Sequence, residues 1–468
     1  MNRKNKSYLF AIMILVVLGG LFSCERETGI LGPAPFPTDA EVFIDGFGPS
    51  VEPQSFLGTK LDALQIDESE AYSGTQSIII TIPGPGDLSG STWSGGALVA
   101  GIARDLTGYN ALTFWAKANK SLTLNSVGLG NDNEAPNPYV VERVNVPLTS
   151  SWTKYVIPIP LPAKLPQEQG LFYYSEGQEN GEGATIWLDE IQFESLGTIA
   201  HPAISFASTS ATAYQGSTVS VPSVTISYDV DGTNVDVVAS SNYLSFSSSD
   251  TSIVTINADG TMTANNPGSA TITATLGDNS ATGSITVNVD YAPVSPAADP
   301  THDAADVMAL FSDTYTSVTP NMNWYTYWTW STAEVNEFDI DGNEMMIFSK
   351  LNFAGVEFAD EQIDASAMTH FHMDIWTPNY ITASSRFIIK LVDFGANGAY
   401  GGGDDTEHAL TLSTTTTPAL SSNSWVSIDV PMTAFTGATA QSHLAQLVLE
   451  CTGGALTTIF VDNVYLYR

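Results

Sequence analysis

Hydrophobic positions along this 468-residue chain recur in short runs, not at helical spacing. Two-residue alternation is clean in ATITAT at 270–275, MTHFHMDIW at 368–376 and RFIIKLVDFG at 386–395. Clusters of Gly, Asn, Asp, Ser and Pro separate such runs at the intervals of β-sandwiches. The pattern predicts an all-β chain of three β-sandwich domains in series. Residues 25–40 and APVSPAADP at 292–300 read as Pro-rich linkers, and composition shifts near residue 200. The expected parts are a leader at 1–23, a stalk at 24–40, and domains at 41–197, 200–290 and 301–468.

Alternation also divides each strand into two faces. In MTHFHMDIW, Phe371, Met373 and Ile375 form a core side, leaving His370, His372, Asp374 and Trp376 opposite. In RFIIKLVDFG, Phe387, Ile389 and Leu391 repeat the core side, with Arg386 and Lys390 opposite. The stretch NWYTYWTWS at 323–331 holds five aromatics. As a strand it would place Trp324, Trp328 and Trp330 on one side and Tyr325 and Tyr327 on the other. One row can enter a core; the second must lie at a surface or edge. Indole faces stack on the apolar C–H faces of sugar rings, and polar neighbours fix the hydroxyls. His370, His372, Trp376, Arg386 and Lys390 are therefore expected beside the tryptophans on one glycan-binding face. Tyr400 joins them from the glycine-rich loop AYGGGDDTEH. In the first domain Trp93, in a glycine-rich loop, is the exposed candidate, with Tyr139, Tyr173 and Tyr174 behind it. Trp115 and Trp187, inside strands, are expected in the core.

The flanking domains share a grammar. YNALTFWAKA, SSWTKYVIPIP and TIWLDEIQFE in the first are matched in order by MTHFHMDIWTP, NSWVSIDVPMTAF and TIFVDNVYLY in the third. One sandwich architecture used twice is expected. FIDGFG, AYSGTQSIIITIP and WLDEIQF make residues 41–195 resemble jelly-roll carbohydrate-binding modules. DAADVMALFSDTY, KLVDFG, GGGDDTEH and IFVDNVYLY give residues 301–468 the same resemblance, to modules that accompany β-glucan-degrading enzymes of Bacteroidota. It implies a laminarin-like β-1,3-glucan as ligand. It also implies that the strand-end acids Asp189 and Asp462 could help hold a structural calcium; no metal ligand set is assigned. Ser248, Ser249, Asp250, Asp259-Gly260, Ala264, Gly268 and Thr271 to Ala274 make residues 203–289 resemble the bacterial Ig-like domain, group 2, usually a spacer. The implied series is jelly-roll, Ig-like, jelly-roll.

At the start, Arg3, Lys4 and Lys6 precede an apolar run too short to span a bilayer comfortably. Leu21, Phe22, Ser23 and Cys24 resemble the bacterial lipobox, which implies cleavage before Cys24 and a lipid on it. ERETG behind it resembles the surface-export signal of Bacteroidota lipoproteins. Net charge is −35, and loss of the leader would remove three bases and no acid. Such a chain repels nucleic acid and anionic membranes, so the expected partner is a neutral polysaccharide. With Cys24 acylated, Cys451 has no disulfide partner and reads as a core thiol. The resemblances imply a non-catalytic, outer-membrane, cell-surface lipoprotein that feeds a Sus-type glycan uptake system. Two other readings stand beside it: a glycoside hydrolase, which needs two facing carboxylates, and an adhesin or structural surface protein.

Overall fold

The structure, a computed structural model, describes residues 35–205, 208–221, 223–257, 260–437 and 441–468. The leader, Cys24 and Asp259 lie outside the described residues. Among the described residues all long-range order is in strands, with single-turn 3₁₀ segments between them, as the alternation predicts. No described helix is long and apolar enough to cross a membrane. The chain forms two compact units.

The first unit holds a sandwich. One sheet runs Leu64–Asp67, Ser77–Ile82, Ala184–Glu194, Ala111–Ala118, Thr153–Pro158, with Glu41–Phe43 also on Ala184–Glu194. The facing sheet contains Val51–Ser55, Trp93–Arg104, Glu168–Gly177, Leu122–Leu129 and Val141–Leu148, in that order. Inward residues of the two sheets meet where Phe114 stands edge-on to Phe172, 5.6 Å between centroids. Ile78, Ile80, Ile186 and Leu188 fill the same layer. Burying such side chains is worth about 1.5–3 kcal/mol each.

The second unit repeats the plan. Glu334–Ile340, Asn343–Ser349, Ile459–Tyr467, His370–Trp376 and Val426–Pro431 form one sheet, with Val307–Phe311 on Ile459–Tyr467. Asn323–Thr326, Phe353–Glu357, Leu444–Thr452, Arg386–Asp393 and Thr406–Leu412 form the other. Phe371, Met373, Phe387, Ile389, Leu449 and Cys451 lie in the core between them. Burial pushes the Cys451 thiol up to about 12, which leaves it inert as a nucleophile.

Counted within each sandwich, the strand orders are identical. The third, fourth, eleventh, sixth and ninth strands make one sheet, and the second, fifth, tenth, seventh and eighth make the other. One architecture is thus used twice, and the shared Asp of the final strand has a structural cause. Asp189 and Asp462 each precede a left-handed residue, Glu190 at φ 48° and Asn463 at φ 49°. Each carboxylate accepts that residue's N–H, at 2.8 and 2.7 Å, and so braces an irregularity in the strand.

The stretch between the sandwiches, expected as a separate spacer, is divided between the units. Val224–Val230 and Thr233–Ala239 form a hairpin through Asp231-Gly232, both left-handed. That hairpin belongs to the first unit. Val238 and Ala239 pair with Glu142 and Val141 and continue the sheet past Val141–Leu148. An edge strand with open N–H and C=O groups is a ready template for such pairing. The second unit takes the strands Thr209–Tyr214, Ile285–Asp290 and Ser245–Ser248. Its Ala213, Met262, Ile272 and Val287 close a small core of their own.

Candidate functional site

On Phe353–Glu357 the inward residues are Ala354 and Val356, so Phe353, Gly355 and Glu357 face outward. Register places Gly355 beside Val448 and Lys390 beside Val448. The same register aligns Glu357, Gln446, Val392 and Glu407 in the next row. Above this face opens a cleft of about 730 Å³, within the size range of small-ligand sites. A Cβ on Gly355 would meet three atoms of the Trp328 six-membered ring well inside contact distance. The indole therefore lies face-on over the glycine, a close approach that a larger residue would forbid. Trp328, Phe353, Phe394 and Tyr400 give the cleft its apolar walls. Tyr400 is 76% exposed, its ring 5.8 Å from that of Phe394.

The polar groups are held in place. The Trp328 Nε1–H donates to Glu357 Oε1 at 2.9 Å, and Gln446 Nε2 donates to the same oxygen at 3.2 Å. Lys390 Nζ sits 3.2 Å from Glu407 and 3.3 Å from Glu450. Burial works against the ammonium, but the two carboxylates outweigh it and hold its pKa above the usual lysine value. Three carboxylates against one ammonium suit hydroxyl groups and repel an acidic sugar.

The remaining expected residues do not gather here. The strand at 323 stops at Thr326, which ends the alternation that would have aligned the three tryptophans. Trp324 packs inward, 5.3 Å from Phe311 and 6.2 Å from Phe348. Trp330 sits in a turn at φ 75°, 85% exposed and outside the cleft lining. Trp376 is only 5% exposed, packed with Phe460 and Ala292, so it offers no face to a sugar. His370 stacks on Tyr467, and His372 on Tyr465. Both histidines lie on the other sheet from Lys390, because His370–Trp376 and Arg386–Asp393 belong to different layers. Arg386 donates to the carbonyls of Ala383 and Ser385 and lines no part of the cleft. Glu407 comes from the stretch AYGGGDDTEH, whereas Phe353, Glu357, Phe394, Gln446 and Glu450 carry no signal in the strand alternation that singles them out. A glycine flanked by Phe and Glu at alternate positions of FAGVE was the available signal.

The equivalent sheet of the first sandwich carries a related face. A Cβ on Gly95 would collide with the Trp93 ring and come within 3.1 Å of Phe56. Trp93, Gly95, Ala97 and Val99 alternate outward along Trp93–Arg104, with Tyr173 beside Ala97. Tyr173 OH donates to Glu142 Oε2 at 2.6 Å; burial first, then that carboxylate, drives its pKa far above the ordinary phenol value. Tyr174 faces inward, its hydroxyl 2.9 Å from Ser94 Oγ. Trp115 and Trp187, expected in the core, stand on the outer face of the other sheet. Trp115 stacks on Tyr72 at 3.8 Å, and Lys117 lies over Trp187 at 4.8 Å.

Of the two acids that the resemblance sets near a calcium, Asp189 has both carboxylate oxygens in hydrogen bonds, while Asp462 gives one oxygen to the Asn463 N–H. Asp189 also accepts the N–H groups of Tyr72 and Ser73. Burial, with Asp374 and Asp313 nearby, pushes the Asp462 carboxyl up to about 7. In the loop after Phe394, Asp404 accepts from Asn397 and Asp405 from Gly401. Among the described residues no group of three His, Cys, Asp or Glu side chains is placed to hold a metal.

Two sandwiches of one topology, each with an indole crowded against a glycine on the outer face of its sheet, define a chain of all-β modules. Residues 44–195 match carbohydrate binding domain 30, and residues 220–287 match the bacterial Ig-like domain (group 2). The chain combines a module similar to a carbohydrate-binding module with one similar to an Ig-like domain. Among curated proteins nothing matches. Similar solved structures include the family 30 carbohydrate-binding module of a cellulosomal cellulase of Clostridium thermocellum. It is 19% identical, spans 35% of this chain and 96% of its own, and has a TM-score of 0.23. The family 11 module from Clostridium thermocellum, solved with a β-1,3-1,4-mixed-linked tetrasaccharide, is 14% identical over 35% and 95%, TM-score 0.25. A tandem CBM22 pair from Paenibacillus barcinonensis Xyn10C is 12% identical over 89% and 92%, TM-score 0.23.

Proposed function

We propose that this protein binds a neutral polysaccharide without cleaving it, and that the ligand is a β-glucan such as laminarin. The observation that carries the reading is the second sandwich's cleft, where Trp328 lies over Gly355 among Phe353, Tyr400, Glu357 and Gln446. A sugar ring settles on the indole while Glu357 and Gln446 meet its hydroxyls. The match of residues 44–195 to carbohydrate binding domain 30 supports the same role for the first sandwich. Two weak sites on one chain would raise effective concentration and hold a polymer close. The lipobox-like Cys24 and the acidic residues behind it support a surface lipoprotein that hands glycan to a Sus-type uptake system.

Titration calorimetry of the full chain against laminarin, barley β-glucan and a uronic-acid polymer tests the ligand class. Binding to neutral glucans that falls at least tenfold in Trp328→Ala supports the reading. Unchanged affinity in a Trp93→Ala, Trp328→Ala double variant, or release of product sugars by the purified protein, refutes it. Loss of the membrane-bound fraction on Cys24→Ala tests the anchor.

A further inference from the structure

The strand Leu122–Leu129 ends at Gly130, φ 87°, where a Cβ would collide with the carbonyl of Tyr139. The loop between them is pinched at its base, and its own side chains fix its path. Asn131 Oδ1 accepts from Asn133 N–H and Asn137 Nδ2. Asp132 Oδ1 accepts from Glu134 N–H, and Asn137 Oδ1 from Asp132 N–H. The loop reaches across the outer face of the sheet, where Asn133 Nδ2 donates to Gln54 Oε1 at 3.4 Å on the edge strand Val51–Ser55. Beside it lies a shallow, open recess of about 340 Å³, lined by Phe56 and by Asn131, Asn133, Glu134, Ala135 and Asn137 of the loop. Phe56 and Trp93 crowd the same glycine, Gly95, so the recess continues the aromatic face.

What anchors the loop comes from the Ig-like stretch. Ser240 Oγ accepts the Val140 N–H at 3.1 Å, and Ser240 N–H donates to the Val140 carbonyl at 2.9 Å. Tyr243, 1% exposed, donates its hydroxyl to the Tyr139 carbonyl at 2.8 Å, its ring 5.4 Å from that of Tyr139. Ser240 and Tyr243 fall inside the segment that matches the Ig-like domain and belong to the first unit. We propose that the recess is a subsite for one pyranose of a neutral glycan, with Asn133 and Asn137 meeting its hydroxyls and Phe56 its apolar face. Ser240 and Tyr243 are positioning residues that hold its wall. The Ig-like stretch is then part of the first binding module as well as a spacer. The proposal rests on the reading of this sheet face as a glycan site.

The test uses the full chain carrying Trp328→Ala, which silences the second cleft, titrated with cellohexaose and laminarihexaose. Adding Tyr243→Phe or Ser240→Ala should speed amide exchange in residues 131–139 and weaken binding about three- to tenfold, the scale of one lost hydrogen bond. Asn133→Ala should weaken binding by a similar factor while leaving exchange in residues 240–243 unchanged. Faster exchange with full affinity, or full affinity in Asn133→Ala, overturns the proposal while the wider reading stands, provided Trp93→Ala abolishes binding. A parent that binds neither probe removes the reading for this sandwich and the proposal with it.

Discussion

A single methyl group separates two roles for Trp328. Gly355→Ala adds a Cβ where three indole carbons already lie within contact distance. Non-bonded carbons settle at about 3.5–4 Å, so the ring must move by roughly 1 Å or more. Such a shift stretches the 2.9 Å bond from Nε1 to Glu357 beyond useful geometry and leaves Glu357 held only by Gln446. Removing a hydrogen bond to a charged group costs about 1.5–3 kcal/mol when buried; on this open face the lower end applies. In the ligand complex the tilted ring also loses stacking. One indole face and its sugar partner together cover roughly 100 Å², or about 2.5 kcal/mol at ~25 cal/mol/Å². Only the stacking differs between free and bound protein, and its partial loss gives about 1–2 kcal/mol, roughly tenfold in Kd. Stability should fall by only about 0.5–1 kcal/mol, because the ~0.5–1 kcal/mol that Ala gains over Gly in a strand offsets part of the lost bond. The assay pairs calorimetry on laminarin with a thermal melt and a tryptophan-fluorescence titration. Wild-type affinity in Gly355→Ala with an unaltered fluorescence response would refute the argument. So would a collapse of the fold, which would make the indole a structural element and not a platform.

Trp376→Ala should behave in the opposite sense, costing about 3–5 kcal/mol of stability as a large core-type truncation while binding stays at wild-type level below the melting transition. Tyr400→Ala, at an exposed cleft wall, should weaken laminarin binding about three- to tenfold and leave the melt within about 0.5 kcal/mol of wild type. Burial pushes the Glu176 carboxyl up to about 7, partly countered by the Asn125 N–H and assisted by Glu179. Its stabilising contribution is therefore full below the unfolded value near 4.5 and is lost as pH rises through about 7. Thermal melts of wild type and Glu176→Gln should differ most in slope across pH 4.5–7, the variant losing less stability; parallel curves would contradict the burial argument.

How far the sequence reaches is clearest in two strands. Alternation in MTHFHMDIW and RFIIKLVDFG named the buried rows correctly: Phe371, Met373, Phe387, Ile389 and Leu391 are all in the core. It could not say that the two strands belong to different sheets, so His372 and Lys390 were set on one face that does not exist. Period two reports the side of a strand, never the layer; layer assignment depends on contacts distant in sequence. NWYTYWTWS shows the complementary limit. A run of aromatics satisfies strand propensity, yet the strand ends after four residues, and Trp328 reaches its place through the turn that follows. Trp115 and Trp187 failed for another reason. Wide indoles half-buried on an outer face read like core residues whenever neighbours such as Tyr72 and Lys117 cover them.

Glycine carried more of the site than any aromatic pattern. Gly95 and Gly355 each interrupt the outward row of the fifth strand in their sandwich, and in both places an indole occupies the space a side chain would take. The two rings arrive differently: Trp93 from two residues earlier on the same strand, Trp328 from the turn after the second strand. Shared descent of the scaffold alone would not require the same vacancy to be filled from two directions. A demand for a flat aromatic floor at that position would. Such a floor is what the proposed binding role would require, since the indole over Gly355 gains less burial than a Val or Ile side chain packed in its own row. The position of the glycine, more than the number of tryptophans, is therefore the feature to seek when such a sandwich is read from sequence.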